Sequence, residues 1–269
     1  MNGTSKTAKA EQQTKVIESP GINLKIISLI SMIIFFALWE SVVRMGFIEP
    51  LFLPAPSAIV RRASIMLERN DFSVHILASA RRVLVGFGLA ALVAIPAGII
   101  LGTSRLAKAI FDPLLSFLRP LPSMSWIPLS LLWLGITEWQ KYSIVFMGSL
   151  APSILYTVEA TRNIDPVLIR AAKNLGASKL QVMKDVVLPG ALPSIIAGLK
   201  VMMGIAWTCV ISAELVAASN GLGFLIMNGK EMFQTDTVLL GMALISITVL
   251  ITDMVLNRVE KILLPWRDG

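Results

Sequence analysis

Long apolar segments separated by polar ones dominate this sequence, and they restrict its fold more than any other feature. Each is long enough to cross a hydrocarbon core of about 30 Å as a helix. Charged residues make up only 15% of the chain and hydrophobic residues 55%, a balance that soluble domains rarely show. We therefore predict an all-α polytopic membrane protein with six transmembrane helices, at residues 24–43, 83–101, 114–135, 142–158, 191–216 and 237–256.

The polar segments give the expected topology. The net charge is +7, and in membrane proteins lysine and arginine collect in cytoplasmic loops. Residues 1–20 are polar and lack the apolar core of a signal peptide, so we expect a disordered cytoplasmic tail there. The first span and an outer, interfacial segment follow at residues 21–82. A core domain then covers residues 83–262, and a cytoplasmic tail covers 263–269, which places both termini in the cytoplasm.

The orientation of residues 44–82 stays open. This segment contains six arginines, which favour the cytoplasm, whereas the alternation of spans places it outside. Residues 59–67 within it have the pattern of an amphipathic interfacial helix. Two other connections have simpler patterns: residues 102–113 are expected to be a short cytoplasmic loop, and residues 217–236 an outer loop with one short helix.

The second and third spans differ in composition. Residues 83–101 carry a stripe of glycine and alanine, which we interpret as a surface for close helix packing. Residues 114–135 contain three prolines, which free backbone carbonyls at membrane depth, where only protein or a water-filled cavity can receive them. The span is either a wall of a translocation path or a kinked helix without a transport role. The path residues in the first case are Arg119, Pro120, Pro122, Ser123 and Trp126.

The fifth span has a polar second half that includes Trp207 and Glu214. An acidic side chain inside a span is costly and faces either the interior of the bundle or water. Glu214 is therefore a second candidate for a translocation path. Two structural roles remain equally open, since Glu214 could instead cap the outer mouth or pair with an arginine from the first loop.

The longest polar, charge-dense interval of the second half runs from residue 170 to 189. Asp165 and Pro166 predict the start of a short helix that ends at Gly176, and Ser178 predicts a second helix that Pro189 ends. Ala171 and Ala172 form a flat surface with lysines around it. Such a helix–glycine–helix unit suits docking into a groove of another protein, and an ordinary cytoplasmic loop is the alternative.

The spacing of this interval resembles the EAA loop of ABC-importer permeases. The alanine pair is followed by three residues, Gly176, nine residues, Val186, one residue and Leu188-Pro189. Arg170 replaces the usual glutamate and Val186 the usual isoleucine, so no salt bridge is inferred at position 170. The resemblance covers residues 54–262 and is strongest to permeases for nitrate, sulfonate, taurine and bicarbonate. It implies that ATPase docking involves Arg170, Ala171, Ala172, Leu175, Gly176, Ala177 and Ser178.

The same resemblance implies a type I ABC-importer permease fold in a bacterial inner membrane. The partners it implies are a second permease copy, two ATP-binding subunits, a periplasmic or lipid-anchored substrate-binding protein and membrane lipid. It places Gly221 and Gly223 at an outer gate and favours the path reading of the Arg119–Pro122 stretch. The implied substrate is a small anion, and relatives also carry pyrimidine precursors. Arg44, Arg81 and Arg82 either help such an anion or anchor lipid headgroups.

Other chemistry finds little support in the residues. The sequence has no P-loop motif, so ATP and Mg²⁺ would bind the partner ATPase and this chain needs no cofactor of its own. The single histidine, His75, has no cluster of ligands for a metal site. Dispersed basic residues argue against nucleic-acid binding. We expect no enzymatic activity, and the alternative transport class is an ATP-independent secondary transporter or channel, which predicts internal repeats and paired ionisable groups in several spans.

Overall fold

The computed structural model of the chain describes residues 24–69 and 71–265, and all of its regular structure there is helical. The disordered tail expected at residues 1–20 lies outside these residues, as do residues 266–269 of the C-terminal tail. The elements are α1 (Leu24–Arg44), α2 (Pro56–Glu68), α3 (Asp71–Thr103), α4 (Arg105–Leu118), a 3-10 turn (Ser123–Trp126), α5 (Ile127–Leu134), α6 (Glu138–Arg162), α7 (Pro166–Asn174), α8 (Lys179–Gln181), a π-helical segment (Val182–Val187), α9 (Leu188–Ala217), α10 (Leu222–Glu231) and α11 (Thr235–Leu263).

Five of the described helices are long and apolar enough to cross a bilayer: α1, α3, α6, the helix that runs from α8 through α9, and α11. A shorter apolar helix covers Ser123–Leu134. These elements confirm the all-α polytopic fold class. The contacts divide the chain into two units, residues 1–57 with α1 and residues 58–269 with the remaining helices.

Helices α3, α6 and α9 form the centre of the second unit. Val83 of α3, Ile144 and Val145 of α6, and Ala206 and Val210 of α9 are buried together in one apolar cluster. Glycine permits the close approach of α3 and α6, because a Cβ atom at Gly86 would lie 2.6 Å from Cβ of Val145. Gly86 and Gly98 are therefore in close helix contact, as predicted for the small-residue stripe, whereas Gly88 faces open space.

Helix α3 begins twelve residues before the predicted second span, and the loop expected at residues 102–113 is wrong. Helix α4 starts immediately after Ser104, whose hydroxyl accepts a hydrogen bond from the Ala107 N–H at 3.2 Å. This side chain satisfies one of the free donors of the first turn. One face of α4 packs Leu115 into a cluster with Leu101 of α3 and Ile154 of α6. The polar residues of this segment predicted a loop, but α4 is a helix with one apolar face that is partly buried.

The predicted third span is not one continuous helix. Helix α4 ends at Leu118, the chain is non-helical at residues 119–122, and a 3-10 turn leads into α5. Pro120 and Pro122 lie in this break and have no N–H to contribute to a helix. Pro128 occupies the first turn of α5, where a missing N–H has no cost. The prolines thus divide the segment instead of kinking it.

The prediction that Pro189 ends the second short helix is also wrong. The helix continues from Lys179 to Ala217 through the π-helical segment. In that segment the Leu188 N–H donates to the Met183 carbonyl, one residue further back than in an α-helix. The wider turn shifts the hydrogen-bond register just before Pro189, which then occupies the first turn of α9. The polar interval and the fifth span are consequently one helix.

Candidate functional site

Two constellations of residues stand out, and the first is the segment that contains α7 and α8. Asp165 starts α7, since its carboxylate accepts a hydrogen bond from the Val167 N–H at 2.8 Å. Ser178 starts α8 with a reciprocal capping box: its N–H donates to Gln181 Oε1 at 2.8 Å, and its hydroxyl accepts from the Gln181 N–H at 3.3 Å. We call residues 165–181 the coupling segment. Both predicted helix starts are confirmed.

A Schellman motif closes α7 at the predicted glycine. Gly176 has φ +84°, a conformation that other residues adopt only with strain. Its N–H donates to the Lys173 carbonyl at 3.0 Å, and the Ala177 N–H donates to the Ala172 carbonyl at 3.0 Å. These two bonds satisfy carbonyls that the end of the helix leaves free. The turn between α7 and α8 therefore has a defined geometry.

Large apolar side chains project from the coupling segment. Leu175 is 88% exposed and Leu180 77% exposed, and Val167 and Leu168 are more than half exposed. Exposed apolar area of this kind is available for contact with another molecule. The surface is not the flat alanine pair that the sequence suggested. Ala171 is exposed, but Ala172 and Ala177 pack towards the apolar cluster beneath, which includes Ile164 and Ala191.

Basic residues accompany these leucines. Arg170, Lys173, Lys179 and Lys184 are exposed, and none forms an ion pair with another of the described residues. The segment is therefore apolar and positively charged, and its shape is fixed by local caps. This combination is complementary to a groove with an apolar floor and an acidic rim.

The second constellation surrounds Arg82, whose side chain is only 2% exposed. All five N–H donors of a guanidinium find acceptors here. Two donate to the Glu138 carboxylate, at 2.8 and 2.6 Å, and one donates to Glu214 Oε1 at 2.8 Å. The remaining two donate to the backbone carbonyl and the side-chain Oδ1 of Asn220, at 2.7 and 2.6 Å. Arg82 thus connects α3, α6, α9 and the turn before α10.

Glu214 is fully buried and is held from several directions. Besides Arg82, it accepts hydrogen bonds from the Ser79 hydroxyl at 2.8 and 2.9 Å and from the Gly223 N–H at 2.9 Å. Lys141 lies 3.7 Å from Glu138, so two cations and two carboxylates balance one another. Glu214 therefore forms an ion pair with an arginine, which was one of the structural alternatives considered for this residue. We call Ser79, Arg82, Glu138 and Glu214 the charged node.

The turn before α10 is fastened to the node through consecutive backbone N–H groups. The Gly221 N–H donates to His75 Nδ1 at 3.1 Å, and the Leu222 N–H donates to the Ser79 hydroxyl at 2.8 Å. Gly221 has φ +115°, and a Cβ atom there would overlap the Glu214 carboxylate. A Cβ atom at Gly223 would lie 2.7 Å from the Ile211 carbonyl oxygen. Both glycines are therefore required by close contact with α9.

The structure brings only some of the proposed path residues together, namely Ser123, Trp126 and Trp207. Arg119 lines an open cavity of about 820 Å³ with Lys108, Asp112, Glu159 and Arg162. Pro120 and Pro122 are exposed and are not among the residues that line this cavity. Trp207 is buried in the central cluster, and Trp126 packs against that cluster. Ser123 lies next to Gly148 and Cys209, since a Cβ atom at Gly148 would contact both residues.

Sequence reasoning missed most of the charged node. It assigned Arg82 to an outer surface, either for an anion or for lipid headgroups, whereas the structure buries it; that assignment was wrong. The spacing of three residues in α3 did indicate that Arg82 is buried. Ser79, Arg82 and Gly86 recur at intervals of three and four, so they share one face of a helix whose glycine is in close contact with α6. A charge on a tightly packed face requires a buried partner.

His75 lies outside any cluster of metal ligands in the part of the chain that the structure describes. No group of three histidine, cysteine, aspartate or glutamate side chains could hold an ion there. His75 instead accepts a hydrogen bond from Gly221 and stacks on Phe224, with ring centroids 6.0 Å apart. Both contacts hold His75 against the turn before α10 and the start of that helix.

Comparison with known proteins agrees with this architecture. The model of the family described as "Binding-protein-dependent transport system inner membrane component" matches residues 94–268. The taurine transport system permease protein TauC of Escherichia coli is 34% identical over 89% of both chains. The aliphatic sulfonates transport permease protein SsuC of E. coli is 33% identical over 87% of this chain and 89% of its own length. The bicarbonate transport system permease protein CmpB of Synechocystis is 30% identical over 86% of both.

The fold has a counterpart among solved structures. The MetNI methionine ABC transporter in an inward-facing conformation aligns with a TM-score of 0.61 over 69% of this chain and 93% of the matched chain, at 18% identity. That likeness concerns the fold, whereas the family match and the curated relatives extend to sequence. The chain therefore belongs to the family of inner membrane components of binding-protein-dependent transport systems.

Proposed function

We propose that this chain is the transmembrane permease subunit of an ATP-driven importer for a small anion of the taurine, sulfonate or bicarbonate class. It works without enzymatic activity of its own. Two copies line one path, two ATP-binding subunits dock on the two coupling segments, and a substrate-binding protein delivers the anion. In this arrangement both termini and the coupling segment are cytoplasmic, and the turn at Gly221 and Gly223 is part of an outer gate.

One observation carries the proposal: the coupling segment is exposed, apolar and positively charged, yet rigidly capped. Leu175 and Leu180 present area that is unfavourable in water, and the Schellman motif holds them in one geometry. The continuous helix from Lys179 to Ala217 then links this surface to Glu214. A partner that moves the segment would thereby move the charged node.

The proposed substrate class rests on the named relatives and on two features of the structure. Arg119, Lys108 and Arg162 give their cavity more cations than carboxylates. The indole N–H groups of Trp126 and Trp207 are buried and have no acceptor among the described residues. Donors of this kind suit the oxygens of a sulfonate, bicarbonate or nitrate ion once the core opens. A pyrimidine precursor is the second candidate, since it presents acceptor oxygens as well.

The test is reconstitution with the cognate ATPase and binding protein. We expect the three components to form a complex in liposomes whose ATP hydrolysis rises with the transported solute. Taurine, an alkanesulfonate, bicarbonate, nitrate and a pyrimidine precursor form the panel. The solute that stimulates hydrolysis and accumulates identifies the substrate. Uptake by the chain alone, without the ATPase or ATP, would contradict the importer assignment and favour a secondary transporter.

The contribution of the coupling segment is tested with Leu175→Asp. Truncating an apolar anchor at an interface costs about 2 kcal/mol. That cost weakens ATPase binding about 30-fold. Because Leu175 is 88% exposed, the substitution should leave the fold intact. Met232→Asp, at the end of α10, is the control and should retain normal ATPase binding. Affinity is measured by titrating purified ATPase onto the reconstituted chain; equal affinities for both variants would refute the docking role.

A further inference from the structure

A groove beside the coupling segment has a composition unlike the rest of the surface. It encloses about 780 Å³ between the junction of α3 with α4 and the segment that contains α7 and α8. Four basic residues line it, and no acidic residue does so among those that the structure describes. The basic residues are Arg105, Arg162, Lys173 and Lys179. We call this cavity the basic groove.

The charges of the basic groove are not compensated within the chain. None of its four basic side chains forms an ion pair with another of the described residues. The floor is apolar, with Ile164, Val182 and Val187, and Thr103, Ser104 and Thr161 lie along the lining. Four like charges around one cavity repel one another. An anion in the groove removes that repulsion.

The position of the groove along the helices indicates which anion is available. Thr103 and Arg162, the last residues of the long apolar helices α3 and α6, both line it. The ends of membrane-spanning helices lie at the depth of the lipid headgroups. Helix α4 begins at the groove, and its residues Leu106 and Ile110 are 73% and 61% exposed. An apolar surface therefore starts where the charged lining ends.

We propose that the basic groove binds the phosphate headgroup of an anionic phospholipid, with the acyl chains along Leu106 and Ile110. Basic pockets between membrane helices take such headgroups in other proteins. The residues that line the groove exclude Leu175 and Leu180, the most exposed apolar side chains of the coupling segment. The exposed leucines are thus left to the ATPase, whereas Lys173 and Lys179 border both surfaces. Lys173 and Lys179 join the bound lipid to the coupling segment, so the lipid steadies this segment against the ends of α3 and α6.

The inference requires a chain embedded in a membrane and does not depend on the proposed import function. The test therefore uses the full-length chain alone, purified in mild detergent. A variant with Arg105→Gln, Arg162→Gln, Lys173→Gln and Lys179→Gln removes the charge of the groove. The control variant, Arg61→Gln, Arg81→Gln, Lys230→Gln and Lys261→Gln, removes the same charge from exposed residues outside the groove that form no ion pair with the described residues.

Retention of phosphatidylglycerol is measured by native mass spectrometry, with phosphatidylcholine as the neutral competitor. We expect the wild type and the control variant to prefer phosphatidylglycerol to phosphatidylcholine. In the groove variant, the ratio of bound phosphatidylglycerol to bound phosphatidylcholine should be at least about tenfold lower. In phosphatidylcholine alone, the thermal midpoint of the groove variant should be no lower than that of the control variant, because the substitutions also remove the repulsion among the four charges. Equal retention by the groove and control variants would overturn the proposal.

Two further arms separate the lipid from other anions. Inorganic phosphate, added at the same concentration, should not raise the thermal midpoint of the wild-type chain, whereas phosphatidylglycerol should. An equal rise with phosphate would show a site for free anions. Unchanged lipid retention by the groove variant, together with weaker binding of added ATPase, would show that these basic residues contact the ATPase and not a lipid. Either result would refute the assignment to lipid.

Discussion

Replacing Arg82 with methionine should cause one of the largest losses of stability that a single substitution can produce in this chain. The change leaves the Glu214 carboxylate fully buried without its ion pair and removes five hydrogen bonds. Removing one partner of a buried pair costs about 3–5 kcal/mol. That cost corresponds to a fall of about 10 °C in the midpoint of thermal unfolding. The midpoint is measured on purified chain in detergent or nanodiscs.

Two further variants separate the buried charge from other causes. Arg81→Met alters the exposed neighbouring arginine of the same helix and should change the midpoint little. Arg82→Met combined with Glu214→Gln removes the orphaned charge but keeps an acceptor for Ser79 and Gly223. We expect the double variant to recover at least half of the lost stability. A double variant less stable than Arg82→Met alone would contradict the buried-charge explanation.

An equally severe effect is expected from Gly221→Ala, although it adds only one methyl group. The backbone at Gly221 has φ +115° and ψ 166°, a region that is essentially limited to glycine. Placing another residue there costs about 1–3 kcal/mol. The methyl group would also overlap the Glu214 carboxylate and displace it from Arg82 and Ser79. We expect a fall in the thermal midpoint comparable to that of Arg82→Met.

Gly88→Ala is the matched control, since it adds the same methyl group in α3 where no atom lies within 4 Å. Alanine in a helix interior is more stable than glycine by about 0.5–1 kcal/mol. The control should therefore keep or slightly raise the midpoint. The explanation from close contact with Glu214 fails if Gly221→Ala and Gly88→Ala unfold at the same temperature.

Local signals predicted local structure well in this chain. Asp165, Gly176 and Ser178 each act within three residues of themselves, and all three mark helix ends as expected. Pro189 also has a local preference, but the preceding π-helical segment alters the hydrogen-bond register and accommodates it. That compensation depends on six residues whose side chains carry no special signal. The continuous helix was therefore not predictable from the proline alone.

The charged node was less predictable, because its members are distant in sequence. Glu214 was singled out as an acid within a span, but Arg82 lies 132 residues away from it. Neither residue indicates its partner, since pairing depends on how α3 and α9 pack. Asn220 joins the node through its backbone carbonyl as well as its side chain, and a carbonyl has no sequence signature. The fold class followed from composition, whereas the pairing of Arg82 with Glu214 depends on how the helices pack.

The continuous helix from Lys179 to Ala217 is long enough to convert a small tilt into a large displacement of its ends. Its 39 residues span about 58 Å at 1.5 Å per residue. A tilt of about 10° around its midpoint would therefore displace each end by about 5 Å in opposite directions. Lys179 belongs to the coupling segment, and Glu214 lies near the other end. A small rotation imposed at one end would thus become a displacement longer than any hydrogen bond of the charged node, which is enough to separate Glu214 from Arg82.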